Sequence, residues 1–166
     1  MSFVKEMLKR EEDCVIDYKG VQKILPQRSP FLFVDRVMKL GNNEIEAEYD
    51  IMYGTIWENA NPDNPPIMPR GLLLEMGCQV STILLGKKIE RFLLVEEIMP
   101  FLEGYTKVTF QDQVKPGIVV TIKSHIESWD DNVYQNVYDG KFSIYTRENR
   151  LFFCEAEFKY SLRTKT

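Results

Sequence analysis

The sequence predicts an α+β domain in which a curved, mostly antiparallel sheet wraps around one long central helix. Three observations carry that expectation. A helical stretch from Arg70 to Lys87 is apolar on nearly every face, so it is core. Segments before and after it alternate apolar and polar residues with the period of a half-buried strand. Turn signals rich in Gly, Asn, Asp and Pro separate those segments. Six or seven strands are expected. One helix covers only one face of such a sheet, so the remaining apolar surface and exposed edge point to a homodimer.

The elements follow in order. Phe3 to Glu12 sets Val4, Met7 and Leu8 at helical spacing among charges, which reads as a short amphipathic helix in an N-terminal extension of residues 1–20. A second short helix around Gly20 to Leu25 stops at Pro26. The apolar run Phe31-Leu32-Phe33-Val34 reads as a buried strand continuing to Leu40, and Gly41-Asn42-Asn43 turns it into the next. There, Ile45, Ala47, Tyr49 and Ile51 oppose Glu44, Glu46, Glu48 and Asp50. Residues Trp57 to Pro69 form a loop dense in Asn and Pro. After the helix come strands from Tyr105 to Val114 and from Ile118 to Ser128, with a turn at Asp130-Asp131-Asn132. Val133 to Tyr138 then meets Asp139-Gly140, a hairpin signal before Lys141 to Thr146. The last strand, Leu151 to Leu162, sets Phe152, Cys154, Ala156, Phe158 and Tyr160 on one side.

The chain of 166 residues fits a single domain spanning residues 1–166. Its formal net charge of −4 excludes the basic footprint of a nucleic-acid binder and disfavours anionic membrane surfaces. No stretch approaches the roughly 18 apolar residues of a membrane span. The charged N-terminus lacks a secretory h-region, so a cytoplasmic protein is expected. Cys14, Cys78 and Cys154 have no metal-type spacing and read as small buried hydrophobes. No metal or cofactor motif is present.

Chemistry concentrates in the helix. Glu75 is the only acidic or basic side chain between Gly71 and Gly86. Burying an unpaired carboxylate is costly, and a raised pKa or a specific partner is the usual outcome. Glu75 is therefore a candidate general acid or base, with a solvent-facing or capping role as the plain alternative. Gln79 follows at i+4 on the same face, within reach of it. Cys78 has no adjacent His to activate it as a nucleophile. The amides of Arg70, Gly71 and Leu72 open the helix, and donors there can polarise a thioester carbonyl.

Ile24-Leu25-Pro26-Gln27-Arg28-Ser29-Pro30-Phe31-Leu32-Phe33-Val34-Asp35-Arg36-Val37 is similar to the "LPHRxPFLLVDRV" opening of the 3-hydroxyacyl-carrier-protein dehydratases. The run from Pro66 through Pro69, Arg70, Gly71 and Glu75 to Gln79 resembles their "PVMPGxLxxEAxAQ" approach to the central helix. Val108 to Gly117 resembles "xKFxxPVxPGD". The resemblance implies a hotdog fold, a dimer, and acyl substrates held as pantetheine thioesters on a carrier protein or coenzyme A. In the family a His from a "GHFP" loop removes the C2 proton, and the helix Glu or Asp of the other subunit helps expel the C3 hydroxyl. Carried over, Glu75 is the catalytic carboxyl and Gln79 its downstream glutamine. Arg70 takes the place of the glycine whose amide binds the thioester carbonyl. Pro69, Arg70, Gly71 and Gln79 are the implied substrate-binding residues.

This chain departs from the pattern where the family has its histidine. Asn59-Ala60-Asn61-Pro62 stands there, so the His position falls on Ala60 or on Asn61, and the "LPHR" histidine is Gln27. Asn61 is left as the hydrogen-bonding candidate. The chain's single histidine, His125, lies in a predicted strand and reads as an ordinary strand side chain. Three readings follow. The first is a thioester enzyme with an altered site, a dehydratase or else an isomerase or thioesterase. The second is a subunit that supplies Glu75 to a His-bearing homologue in a heterodimer. The third is a homologue that binds its ligand without turnover. Trp57 and Trp129 are tunnel or packing aromatics, and Arg28 and Arg36 are expected to form surface salt bridges with Asp35 or another carboxylate.

Overall fold

The computed structural model describes residues 14–54, 66–92, 98–127 and 137–164. The expected helix at Phe3 to Glu12, the turn at Asp130 to Asn132, Asn61 and both tryptophans lie outside the described residues.

Helix α1 (Tyr18–Ile24) starts two residues earlier than the sequence suggested, because the Asp17 carboxylate caps it, accepting from the Gly20 amide at 2.8 Å. The predicted strand from Phe31 is corrected. Leu32, Phe33 and Val34 are buried, but β1 is only Arg36–Leu40. The segment before it forms a strap whose Phe31 carbonyl and Phe33 amide pair with a helix side chain instead of a neighbouring strand. A tight turn closed by Gly41 N–H to Glu44 O leads to β2 (Glu44–Ile51), where Ile45, Ala47 and Ile51 are buried as the alternation requires.

Helix α2 (Arg70–Phe92) is the core helix and runs longer than predicted. The strands after it are β3 (Ile98–Phe110), β4 (Ile118–Ile126), β5 (Val137–Thr146) and β6 (Phe152–Thr164). The expected strand from Tyr105 to Val114 is shifted, since Val114 leaves the sheet to accept the Met68 amide and thereby tethers the approach to α2. Asp139-Gly140 is not a hairpin turn; it lies inside the continuous strand β5. A side chain on Gly140 would meet the Phe158 ring at 2.5 Å and the His125 carbonyl at 2.8 Å, so this glycine serves close packing.

The six strands form one antiparallel sheet in the order β1-β2-β4-β5-β6-β3. Helix α2 packs on it through Leu73, Met76, Val80, Ile83 and Leu84, all buried, which is the hotdog arrangement the resemblance implies. Closest approach comes at Gly77, where an added Cβ would stand 2.3 Å from the Phe142 ring. Phe142 stacks in turn on Phe158, with centroids 6.0 Å apart. Ser81 donates to the Gly77 carbonyl and shares a 2.8 Å hydrogen bond with Ser124 of β4, so two buried hydroxyls satisfy each other. Farther along α2, Lys87 ties the helix to the β1–β2 turn through the Leu40 and Gly41 carbonyls.

The two sheet edges differ. Val15 and Ile16 bond to Val37 and partly cover β1. On the far side of β3 no described strand pairs, and Phe101, Leu102 and Val108 stand exposed along it. Among the described residues, no helix is long and apolar enough to cross a membrane.

Candidate active site

Glu75 lies in the second turn of α2, half-buried, on the helix flank that faces the strap. Its Oε1 accepts one hydrogen from the Gln79 Nε2 at 2.8 Å, across one helical turn. The second Gln79 Nε2 hydrogen goes to the Phe31 carbonyl at 2.8 Å, and its Oε1 accepts from the Phe33 amide at 2.8 Å. Gln79 is only 1% exposed, and both its donors are committed to protein acceptors. The side chain expected to contact substrate thus clamps the strap and orients Glu75. Among the described residues no cation pairs with Glu75.

The mouth of α2 is open. Gly71 is exposed, with nothing within 4 Å of where a Cβ would sit. The Leu72 amide, one of three expected to be free, donates to the Pro69 carbonyl at 2.9 Å. This leaves Arg70 and Gly71 as the first-turn donors that can meet a ligand. Arg70 is exposed, and its guanidinium lies 5.1 Å over the centroid of the Phe110 ring, so the side chain turns toward the end of β3. Pro69 is exposed immediately before the helix.

Behind Glu75, the Cys78 sulfur lies 2.7 Å from the Tyr105 hydroxyl, which also donates to the Leu74 carbonyl at 3.3 Å. The Tyr160 hydroxyl donates to the Cys78 carbonyl at 3.1 Å. Burial pushes the Cys78 thiol and both phenols up, so all three hold their protons at neutral pH. Cys78 is packing, as the missing histidine neighbour suggested. His125 alternates with the inward-facing Ser124 on β4, so its side chain points away from α2. Its surroundings are a groove on the outer face lined with Lys39, Glu46, Lys123, Lys141 and Glu155.

A second cluster, expected as a surface salt bridge but found buried, sits on that outer face. Arg36 was expected at the surface but is 5% exposed, with Nε 2.9 Å from Glu48 and Nη2 2.7 Å from Asp50. Arg147 reaches the other Glu48 oxygen at 3.2 Å. Asp35 stays outside these ion pairs and accepts the Asp50 amide at 2.7 Å. Burial above all, offset in part by that hydrogen bond, raises its carboxyl to about 6. Arg28 instead donates to the Leu25 and Gln27 carbonyls at the end of α1.

The chain is similar to known proteins in sequence and in fold. The family model for the FabA-like domain matches residues 25–147. The 3-hydroxyacyl-[acyl-carrier-protein] dehydratase FabZ of Oenococcus oeni is 32% identical over 114 residues, covering 68% of this chain and 79% of that protein. FabZ of Streptococcus agalactiae is 35% identical over 112 residues, covering 66% and 76%. Among solved structures, the dehydratase heterocomplex ApeI:P from Xenorhabdus doucetiae aligns with a TM-score of 0.68 at 15% identity, covering 87% of this chain and 91% of that one. A hypothetical thioesterase with coenzyme A from Streptococcus pneumoniae aligns with a TM-score of 0.55 at 14% identity, covering 78% and 85%.

Proposed function

The chain belongs to the FabA-like family and is an acyl-thioester-processing protein of the FabZ dehydratase kind, and we propose that Glu75 is its one working carboxyl. The observation that carries this reading is the setting of Glu75: an amide fixes it, no described cation neutralises it, and an open helix mouth lies one turn away. The substrate is a 3-hydroxyacyl chain on a pantetheine thioester, presented by a carrier protein or coenzyme A in the cytoplasm. The amides of Arg70 and Gly71 receive the thioester carbonyl, with Pro69 shaping the approach. Withdrawal of charge toward that carbonyl acidifies C2. As the C2 proton leaves, the C2–H electrons form the double bond, the C3–O bond breaks, and the hydroxyl departs with a proton as water.

Glu75 takes the C2 proton and returns a proton to the leaving C3 hydroxyl, and Asn61 hydrogen-bonds where the family has its base. Gln79 contributes by position. A second copy of the chain pairs along the edge of β3 that no described strand covers, and the site is completed across that interface. The apolar residues exposed on that edge support this arrangement.

A second reading is favoured by one finding: a structural neighbour is a dehydratase heterocomplex. In that reading the partner is a His-bearing homologue that takes the C2 proton, and this chain supplies Glu75 across the interface.

The test is turnover of a short 3-hydroxyacyl-pantetheine thioester by wild type and Glu75→Gln, following enoyl product and free thiol. Enoyl product that the variant loses supports the autonomous dehydratase. Free thiol alone supports hydrolysis, the reaction named for the thioesterase neighbour. No turnover by the pure protein rejects the autonomous dehydratase for that substrate, and recovery of a His-bearing homologue with the tagged chain then supports the half-site reading.

A further inference from the structure

The strap between α1 and β1 is pinned at two places. Toward its start, the Phe31 carbonyl and Phe33 amide are held by Gln79, whose remaining hydrogen holds Glu75. At its far end, the Asp35 amide donates to the Glu48 carbonyl at 3.0 Å, and the Asp35 carboxylate receives the Asp50 amide at 2.7 Å. Only Val34 separates those two clamps. Leu32, Phe33 and Val34 are 5%, 2% and 0% exposed, so a change at one clamp is transmitted through packed residues.

The outer cluster holds two carboxylates, Glu48 and Asp50, on one buried guanidinium, that of Arg36, and Asp35 joins it through the Asp50 amide. Arg36 is spent on Glu48 and Asp50, and Arg147 on Glu48. We propose that Asp35 is a positioning residue for Glu75: a proton bound or released at its carboxyl alters the grip on the Asp50 amide and, through the strap and Gln79, the placement of Glu75. A carboxylate accepts an N–H more strongly than a neutral acid does, so ionised Asp35 is the form that holds the strap.

The groups facing Asp35 all bear on its titration. From β2, Asp50 and Glu48 repel its charge, while Arg36 beside it attracts. Tyr49 is pushed up to about 12, by burial first and then by the Asp35 charge, with Tyr18 of α1 adding to it. With Asp35 itself raised to about 6, the change in proton occupancy falls close to neutral pH. Only the functional consequence rests on the reading of Glu75 as the working carboxyl. The linkage between Asp35 and Gln79 does not, and its test uses no substrate.

The experiment is an NMR pH titration of Glu75→Gln, a background in which the Gln79 amide no longer adjoins a carboxyl. The Asp35 carboxyl ¹³C and the Gln79 side-chain amide ¹⁵N are followed together between pH 4.5 and 8. Both signals are expected to move with one shared midpoint near 6, and the Gln79 response is expected to disappear when Asp35→Asn is added. A flat Gln79 signal, or one with a different midpoint, overturns the proposal, as does a response that survives Asp35→Asn. If the double variant does not fold, the shared or separate midpoints in Glu75→Gln decide. Should the linkage hold while the protein has no turnover, the positioning role stands and the catalytic reading fails alone.

Discussion

Helix α2 and the outer face of β2 each remove carboxylates from water, and they do so in opposite ways. On β2, Glu48 and Asp50 are matched by Arg36 and Arg147 at distances of 2.7 to 3.2 Å. Each of their oxygens accepts from a guanidinium, which secures β1 to β2. On α2, Glu75 receives one neutral amide hydrogen and no described cation. A neutral donor orients a carboxylate without neutralising it, so the group keeps its capacity to take and return a proton. Neutralisation marks the carboxylates of the scaffold, and orientation without neutralisation sets Glu75 apart, as its proposed role requires.

The sharpest way to break this contrast is to exchange the outcomes of two substitutions. Glu75→Gln is expected to reduce turnover of a 3-hydroxyacyl-pantetheine thioester by about 10²- to 10⁴-fold while leaving the denaturant midpoint almost unchanged. Removing Arg36 is expected to do the reverse to the fold. Arg36→Met strands Asp50 without its cation and leaves Glu48 to Arg147 alone, and should cost about 3–5 kcal/mol in urea unfolding. A folded, stable Arg36→Met protein would show that the outer cluster is not scaffold.

Asp35 sharpens the comparison through pH. Its carboxyl is raised from 3.8 to about 6, so the folded chain binds this proton more tightly than the unfolded chain does. The resulting stabilisation is full below 3.8 and is lost as pH rises to about 6. Its ceiling is about 3 kcal/mol. Asp35→Asn should therefore gain stability relative to wild type by up to that amount between pH 4 and pH 7, measured as paired denaturation curves. A constant difference across that range would exclude Asp35 as the titrating group. The smallest expected effect is at the clamp. Gln79→Leu leaves the Phe33 amide buried without its acceptor, at about 1–3 kcal/mol, and should lower turnover as Glu75 loses its guide.

Much of this was legible before any coordinates. The core helix was readable because apolar residues on every face leave burial as the only stable outcome, and Glu75 stood out as the exception within it. The strap was misread as a strand because an apolar run shows burial but not which groups bond the backbone. Its partner is a glutamine side chain 46 residues away. Asp139-Gly140 carried a turn signal that packing overrode, since Phe158 and the His125 carbonyl occupy the space beside Gly140. The charged alternation of β2 was visible, whereas the burial of Glu48 depends on Arg36 lying across from it on β1. Asn61 remains a sequence-level assignment outside the described residues.

The contact between Gly77 and Phe142 has a consequence for how the helix is oriented about its own axis. Each residue advances the helix by about 100°, so Gly77 and Gln79 lie on nearly opposite sides of the cylinder. The sheet seats one side at Gly77, and the strap seats the other at Gln79. Together they act as an indexing pin and its stop, because rotation in either direction drives backbone into the Phe142 ring or tears the strap from its clamp. Glu75 is carried at a set angle by two residues that need never touch a substrate. Drift elsewhere in the sheet can therefore repack the core around the helix without turning the carboxyl.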